Sequence, residues 1–319
     1  MLLRLVPSNT DLKFIRFRMI ALGLSASLMA ASLGLYFVKG LNFGIDFKGG
    51  TMIEIGTEGP ADLGAIRDIV GGLDLGDVEV QEFGSPSEVL IRIEEQSGGG
   101  DERAAEIAQQ QAVVVTRAAL DEAFPTIEYR RVEVVGPKVS GELVKAGTIA
   151  VLLAVFFVFL YIMFRFEWQF SIGAVVALVH DVTLTIGMFS LLQLEFNLSI
   201  IAAILTIVGY SLNDTVVVFD RVRENLRKYK RMPLSELLDQ SVNDTLSRTV
   251  MTSLTTLLAL IALYIWGGEV IRGFTFAMIW GVVIGTYSSI FIASPVLLML
   301  GVRRDWSKGG ETAPATGPA

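Results

Sequence analysis

Residues 146–164 read AGTIAVLLAVFFVFLYIMF, a run of nineteen residues without a charged side chain. A helix of about twenty apolar residues, rising 1.5 Å per residue, is long enough to cross a hydrocarbon core of ~30 Å. The run therefore predicts a membrane span, and the rest of the chain can be interpreted around it.

Composition agrees with a membrane protein. Of the 319 residues, 52% are hydrophobic and 18% are charged, whereas soluble domains are typically ~45–50% apolar and ~25% charged. The formal net charge of -7 argues against a nucleic-acid partner. Because the chain has no cysteine, disulfides, thiolate metal sites and cysteine catalysis are excluded.

Five further apolar blocks bring the predicted total to six spans. The first block, which follows Arg16 and Arg18, could be a cleaved signal peptide, but it is longer than a typical h-region of ~7–15 residues, so we prefer an uncleaved span. The predicted divisions are a cytoplasmic N-terminus (1–18), spans at 19–38, 142–164, 170–193, 196–219, 248–267 and 272–302, an α+β domain (39–141), a cytoplasmic basic loop with an amphipathic helix (220–247) and a disordered tail (303–319).

Basic residues set the predicted orientation. With six spans, four basic segments fall on one side of the membrane, which the positive-inside rule makes the cytoplasmic side. Both termini are then cytoplasmic, and residues 39–141 are extracytoplasmic. These basic residues are Arg4, Lys13, Arg16, Arg18, Arg165, Arg221, Arg223, Arg227, Lys228, Lys230, Arg231, Arg303, Arg304 and Lys308.

The segment 39–141 has the composition of a soluble domain with the element order β-α-β-β-α-β, which is the ferredoxin-like arrangement. Nothing in it suggests chemistry, so we expect a binding or lever module. The predicted elements are a strand at 51–56, a helix at 60–73 started by Pro60, strands at 78–83 and 89–93 with a turn at 84–86, a helix at 101–124 and a strand at 127–135.

The entrance to this domain carries the motif GIDFKGG at residues 44–50. Gly44, Gly49 and Gly50 surround Asp46, and this pattern predicts a backbone bend where the span meets the domain. A phosphate-binding loop is the alternative, but the spacing and the Lys-Ser/Thr pair of that loop are missing.

Ionisable residues lie at membrane depth in the later spans, where each charge costs ~2.5–3.5 kcal/mol on insertion scales. His180 and Asp181 lie near the middle of the third span, and Asp214 lies in the fourth. Arg248 opens the fifth span, and Thr245, Thr252 and Thr255 continue a polar stripe at helical spacing. Tyr210 and Ser211, four and three residues before Asp214, share its helix face, and Asn213 adjoins it.

Two interpretations of these residues remain open. Asp214 and Arg248 can form a fixed ion pair that only holds helices together. Alternatively, Asp214 is the titrating carboxylate of a proton relay, Arg248 is its partner, and Asp181 and His180 are further members. The relay accounts for more of the buried groups, although His180 can equally be a core histidine bonded to a neighbouring helix. Sodium can replace the proton at a carboxylate, and no metal site or other cofactor is expected.

Small residues predict close helix contacts. Gly281 and Gly285 form a small-xxx-small pair in the sixth span, and Gly23, Ser27 and Ala31 form another series in the first. Either surface can face a partner subunit or another helix of the same chain.

The residues above resemble the SecF family, the smaller of the paired SecD and SecF subunits of bacterial protein export. The matching motifs are GIDFKGG (44–50), ALVHDV (177–182), VGYSLNDTVVVFDRVREN (208–225) and SRTVMTSLTT (247–256). The last two are long and specific, and the resemblance covers residues 41–300.

This resemblance implies one half of an RND-type transporter bundle in the bacterial inner membrane. It implies an accessory of the Sec translocase that is not an enzyme, pairs with SecD, acts with SecYEG and engages unfolded preproteins. In this family the acid and the arginine of the matching motifs carry proton coupling, and they correspond to Asp214 and Arg248. A matching acid of SecD would complete the site.

Two other function classes compete with this prediction. An RND-type exporter of small molecules or lipids requires a second six-span half or large outer domains with an apolar pocket. A structural scaffold requires only fixed ion pairs. An intramembrane protease is excluded, because His180 has no evident serine partner, and Asp181 and Asp214 lack the flanking glycine motifs of a membrane aspartate pair.

Overall fold

The computed structural model describes residues 10–96 and 102–302. Arg4 and the predicted tail at 303–319 therefore lie outside the described residues. In chain order the elements are α1 (Arg18–Lys39), β1 (Asn42–Phe43), α2 (Ile45–Lys48), β2 (Gly50–Gly56), α3 (Leu63–Gly71), β3 (Val78–Phe83), β4 (Ser85–Ile93), α4 (Glu102–Ala123), β5 (Glu128–Val135), α5 (Pro137–Arg165), α6 (Trp168–Leu192), β6 (Glu195–Phe196), α7 (Leu198–Lys228), α8 (Leu234–Trp266), α9 (Arg272–Ser288) and α10 (Ser294–Leu300).

Among the described residues, six helices are long and apolar enough to span a membrane. They are α1, α5, α6, α7, α8 and the pair α9–α10, which a π-helical turn at Ser289–Ala293 joins. The fold class predicted from the sequence, six membrane helices with one inserted α+β domain, is confirmed.

The inserted α+β domain (residues 50–135) is one four-stranded antiparallel sheet covered by α3 and α4. The strand order is β3-β4-β2-β5, and Ile53 of the central strand β2 faces Ile91 on one side and Val132 on the other. Ile53 and Ile66 are buried in its core beside Leu120. Full burial of each such side chain contributes ~1.5–3 kcal/mol to the stability of the folded domain. This burial stabilises the ferredoxin-like arrangement.

Two predicted details of the α+β domain are wrong. Pro60 does not start the first helix: α3 begins at Leu63, and the Asp62 carboxylate accepts a hydrogen bond from Ala65 N at 3.0 Å. This N-cap satisfies a donor of the first turn. The turn at 84–86 is also shorter than predicted, since β4 already begins at Ser85. Within this turn Gly84 alone has positive φ (+81°).

The helix α8 differs most from the prediction. The predicted loop at 220–247 is mostly helical, since α7 continues to Lys228 and α8 runs without a break from Leu234 to Trp266. Its first turns are amphipathic, and Leu237 and Leu238 are buried with Phe219 in the largest apolar cluster of the bundle. The amphipathic segment therefore packs under the bundle rather than lying on the membrane surface.

The N-terminal segment is clasped by this same part of α8. Leu12 N donates to Asn243 Oδ1 at 3.0 Å, and Asn243 Nδ2 donates back to Leu12 O at 2.8 Å. Ile15 N donates to Asp239 Oδ1 at 2.8 Å. Each of these bonds satisfies a backbone group before α1 begins. Together they hold the N-terminal segment at the end of the bundle opposite the α+β domain.

Glycines allow α7 and α9 to pack closely. A Cβ atom on Gly281 would overlap the side chain of Ile207, and one on Gly285 would lie 3.0 Å from Ser211 Cβ. The small-residue pair of the sixth span therefore serves packing within the chain. Gly23 of the first span has no neighbouring atom within 4 Å of such a Cβ position, so its surface is not packed against the described part of this chain.

We expect Gly281→Ala to destabilise the bundle by ~1–3 kcal/mol, because an added methyl group at a close contact forces the helices apart. Thermal unfolding of the detergent-solubilised chain measures the effect. The matched control is Gly23→Ala, which adds the same methyl group in open space and should not lower the unfolding temperature. Equal effects of the two substitutions would contradict the close contact.

Candidate functional site within the membrane helices

The middle of α6 places two ionisable residues side by side in the bundle interior. His180 and Asp181 are each 1% exposed, and His180 Nδ1 lies 2.9 Å from Asp181 Oδ1. A buried carboxylate requires hydrogen-bond partners. The histidine supplies one of them from the neighbouring position of the same helix.

The second oxygen of Asp181 receives hydrogen bonds from two other helices. Ser211 of α7 donates to Asp181 Oδ2 at 2.6 Å, and Ser288 of α9 donates to the same oxygen at 2.8 Å. His180, Asp181, Ser211 and Ser288 form what we call the Asp181 cluster. The cluster joins three spans around one carboxylate. Hydrogen bonds to a charged group are stronger than hydrogen bonds between neutral groups.

Tyr287 extends the Asp181 cluster toward α1. Its ring lies beside the His180 ring, with 6.0 Å between the centroids, and its hydroxyl group is 3.2 Å from Ala21 O and 3.1 Å from Ser25 Oγ. The buried Nε2 atom of His180 has no hydrogen-bond partner among the described residues. Among the described residues, the imidazole is therefore held by a hydrogen bond at Nδ1 alone.

We expect Ser288→Ala to lower the free energy of unfolding by ~1.5–3 kcal/mol, the range for a hydrogen bond to a charged group. Its matched control is Ser289→Ala, because Ser289 is equally buried but donates only to Thr286 O of the same span. Denaturant titration in detergent compares them. A loss no larger than that of the control would show that the bond to Asp181 contributes nothing.

Asp214 lies apart from this cluster. It is 2% exposed, and its Oδ2 atom has no hydrogen-bond partner among the described residues. The hydroxyl group of Tyr210, one helical turn earlier, is also buried, and the described part of the chain offers it no hydrogen-bond partner. Ser211 was predicted to support Asp214, but it turns toward Asp181 instead. Asp214 is therefore a buried carboxylate with one oxygen that the described residues leave without a hydrogen bond.

The predicted contact between Asp214 and Arg248 is absent. The guanidinium group of Arg248 is exposed and lies within electrostatic range of Asp214, but no ion pair joins them among the described residues. The physical reason is position: Arg248 is at the end of the apolar part of α8 and is directed to the surface of the bundle.

Other predicted residues also lie at this surface. Asn213 is exposed on α7, whereas Thr252 donates to Arg248 O of its own helix at 2.9 Å and so supports α8 rather than Asp214. We call Asn213, Arg248 and Thr255 the polar face; all three are exposed. A polar surface on membrane helices is costly in lipid, and a partner helix would cover it.

The glycine motif lies at the other end of the bundle. Gly49 and Gly50 have φ values of +75° and +111°, a region that favours glycine, and they turn the chain into β2. Asp46 accepts a hydrogen bond from Leu198 N at the start of α7 at 2.8 Å. Gly44 lies against Glu195. These residues take no part in the Asp181 cluster.

Within the described residues, no group of three or more histidine or acidic side chains could hold a metal ion. Sequence reasoning missed Ser25, Tyr287 and Ser288. Serine and tyrosine are common in apolar helices as local hydrogen-bond donors, so only the packing of α9 against α6 distinguishes Ser288 from its neighbours.

Two family models match the chain. The model described as "Protein export membrane protein SecD/SecF, C-terminal" matches residues 115–303, and the model described as "SecD/SecF GG Motif" matches residues 37–61. Together they include the glycine motif and every ionisable residue of the spans discussed above.

Curated relatives match over nearly their whole length. The protein translocase subunit SecF of Rhodobacter capsulatus is 50% identical over 312 residues, which are 96% of this chain and 94% of that protein. The SecF of Magnetococcus marinus is also 50% identical over 312 residues, with 96% and 97% covered. The SecF of Vibrio alginolyticus is 43% identical over 302 residues, with 95% and 94% covered.

Two solved structures are also similar. The crystal structure of SecDF from Thermus thermophilus, described as a translocon-associated membrane protein, aligns with a TM-score of 0.81 at 35% identity over 93% of this chain. SecDF in its super-membrane-facing form aligns with a TM-score of 0.67 at 36% identity over 92%. This chain spans 39% of the length of each. The motifs, the six spans and these matches show that the chain belongs to the SecD/SecF family of protein-export membrane proteins, and within it to SecF.

Proposed function

We propose that this chain is an accessory subunit of the Sec translocase in which proton passage at Asp214 moves the α+β domain against unfolded preprotein. The observation that carries the proposal is the Asp214 carboxyl group. It is buried in a membrane helix, its Oδ2 atom has no hydrogen-bond partner within residues 10–96 and 102–302, and a cation stands within electrostatic range. A group that must be neutral or charged according to its surroundings is what a proton relay requires.

The polar face suggests where a second chain binds. The matches to SecDF, a longer chain that contains a region like this one, support SecD as the partner. Helices of SecD that cover Asn213 and Arg248 would also close the space beside Asp214 and supply a matching acid. The relay then lies between two chains, and SecYEG and the preprotein are further partners of the complex.

We place the protein in the bacterial inner membrane with both termini cytoplasmic and the α+β domain periplasmic. The N-terminal segment and the α7–α8 connection meet at one end of the bundle, and both are rich in lysine and arginine. The same assignment puts the α+β domain on the side where an exported chain emerges. No enzymatic activity is part of this proposal.

The two SecDF structures align with this chain over nearly the same covered share, with TM-scores of 0.81 and 0.67. An exporter of small molecules or lipids is not favoured, since the three relatives described above are all translocase subunits.

Ion flux through the reconstituted complex tests the proposal. The full chain and its SecD partner are placed in liposomes with SecYEG and a preprotein, a membrane potential is imposed, and internal pH and sodium are followed with dyes. We expect acidification that depends on translocation and persists without sodium. Flux of sodium alone would show that sodium, and not the proton, is the coupling ion. The absence of any ion flux would contradict the proposal.

A further inference from the structure

The glycine motif holds the outer end of α7. Strand β1 pairs in parallel with β6, with Asn42 opposite Glu195 and Phe43 opposite Phe196. Gly44 N donates to Phe196 O at 2.9 Å. We call residues 42–49 and 195–198 the outer joint. Its two halves are about 150 residues apart in the chain, so their pairing ties the exit of α1 to the entrance of α7.

Asp46 gives this joint its specificity. The residue in the N-cap position of α7, Asn197, makes no side-chain cap, and its Oδ1 atom instead accepts a hydrogen bond from Ser199 Oγ. Asp46 Oδ2 accepts the hydrogen bond of Leu198 N at 2.8 Å. The carboxylate thus caps α7 from a distant segment, and its negative charge faces the positive end of the helix dipole.

The same segment leads directly into the α+β domain. Gly49 and Gly50 connect α2 directly to β2. Strand β2 pairs with both β4 and β5. A second connection comes from β4, where Arg92, only 8% exposed, forms an ion pair with Glu195 at 2.5 Å. Two strands of the sheet are therefore attached to the residues that precede α7.

We propose that the outer joint passes the movement of α7 to the sheet of the α+β domain, with Asp46 as the positioning residue and Arg92–Glu195 as a second connection. This inference rests on the proposed function. Asp214 lies sixteen residues after Leu198 on the same uninterrupted helix, about 24 Å along its axis. A rotation or shift of α7 at Asp214 reaches Leu198 because a hydrogen-bonded helix moves as a rigid rod.

The test uses the full complex in liposomes, with a pair of labels on cysteines introduced into the naturally cysteine-free chain, one in the α+β domain and one at the outer end of α5. Distance change under an imposed potential and proton uptake are measured together. We expect Asp46→Ala to leave proton uptake unchanged and to reduce both the distance change and preprotein export by about tenfold, a typical size of coupling between two sites. Asp46→Asn, which keeps an acceptor for Leu198 N, should recover most of both.

Asp68→Ala, an exposed acid of α3 away from the joint, is the matched control and should behave as wild type. If Asp46→Ala folds poorly, Glu195→Gln replaces it, because it removes the charge that pairs with Arg92 while Arg92 keeps its ion pair with Glu79; it should reduce the distance change and export. Full movement and export in Asp46→Ala, or in Glu195→Gln where that variant is used, overturns the joint alone. Loss of proton uptake in Asp46→Ala would place Asp46 in the ion path and also overturns it. Absence of movement in wild type overturns both the joint and the proposed function.

Discussion

We expect Asp214→Asn to abolish the dependence of preprotein export on membrane potential. The amide has nearly the shape of the carboxyl group, but it can neither bind nor release a proton near pH 7. One elementary charge crossing the membrane gains ~2.3 kcal/mol per 100 mV, which corresponds to a bias of roughly 50-fold. The variant loses this bias while its helices remain packed.

The measurement is export of a secreted reporter in cells and in vesicles at several imposed potentials. Asp220→Asn is the matched control, since Asp220 lies on the same helix but pairs with Arg165 at 3.1 Å at the end of the bundle. Unchanged potential dependence in Asp214→Asn would rule out the relay. A scaffold role would appear instead as loss of complex assembly in that variant.

We expect Arg248→Ala to have opposite effects on the isolated chain and on the complex. An exposed guanidinium group at the edge of an apolar helix opposes membrane insertion, so its removal favours the chain alone. In the complex, removing one member of a buried charge pair costs ~2–5 kcal/mol, which lowers the affinity for the partner roughly 30- to 5,000-fold.

Co-purification with SecD at graded detergent concentrations and unfolding of the chain alone measure the two effects. Arg231→Ala, in the exposed connection between α7 and α8, is the control and should change neither. If Arg248→Ala leaves the affinity for SecD intact, the polar face is not the contact surface, and the charge must be satisfied by water or lipid headgroups.

The sequence predicted those features that follow from local pattern. Apolar runs of about twenty residues have no stable alternative to membrane helices, and period-two runs separated by turns define the strands of the α+β domain. It predicted the amphipathic helix within 220–247 but not that this helix continues without a break into the fifth span, because an amphipathic segment followed by an apolar one fits a bent chain as well as a straight helix. Tertiary packing of Leu237 and Leu238 decides between them.

The candidate site was only partly predictable for the same reason. Charged residues in apolar helices are conspicuous, so His180, Asp181 and Asp214 were found. Their partners were not, because Ser288 is 107 residues from Asp181 and looks like any other serine. The expected contact of Asp214 with Arg248 also requires the orientation of one side chain, which helical spacing does not determine.

The clasp of the N-terminal segment has a consequence for biosynthesis. Leu12 is made about 230 residues before Asn243, and at ~5–20 residues per second this separation takes roughly 10–50 seconds to synthesise. During that interval the first helix is in the membrane while the backbone groups of its leading segment are bonded only to water. The earliest part of the chain to leave the ribosome is thus among the last to reach its final position, and truncations before residue 243 should leave it accessible to proteolysis.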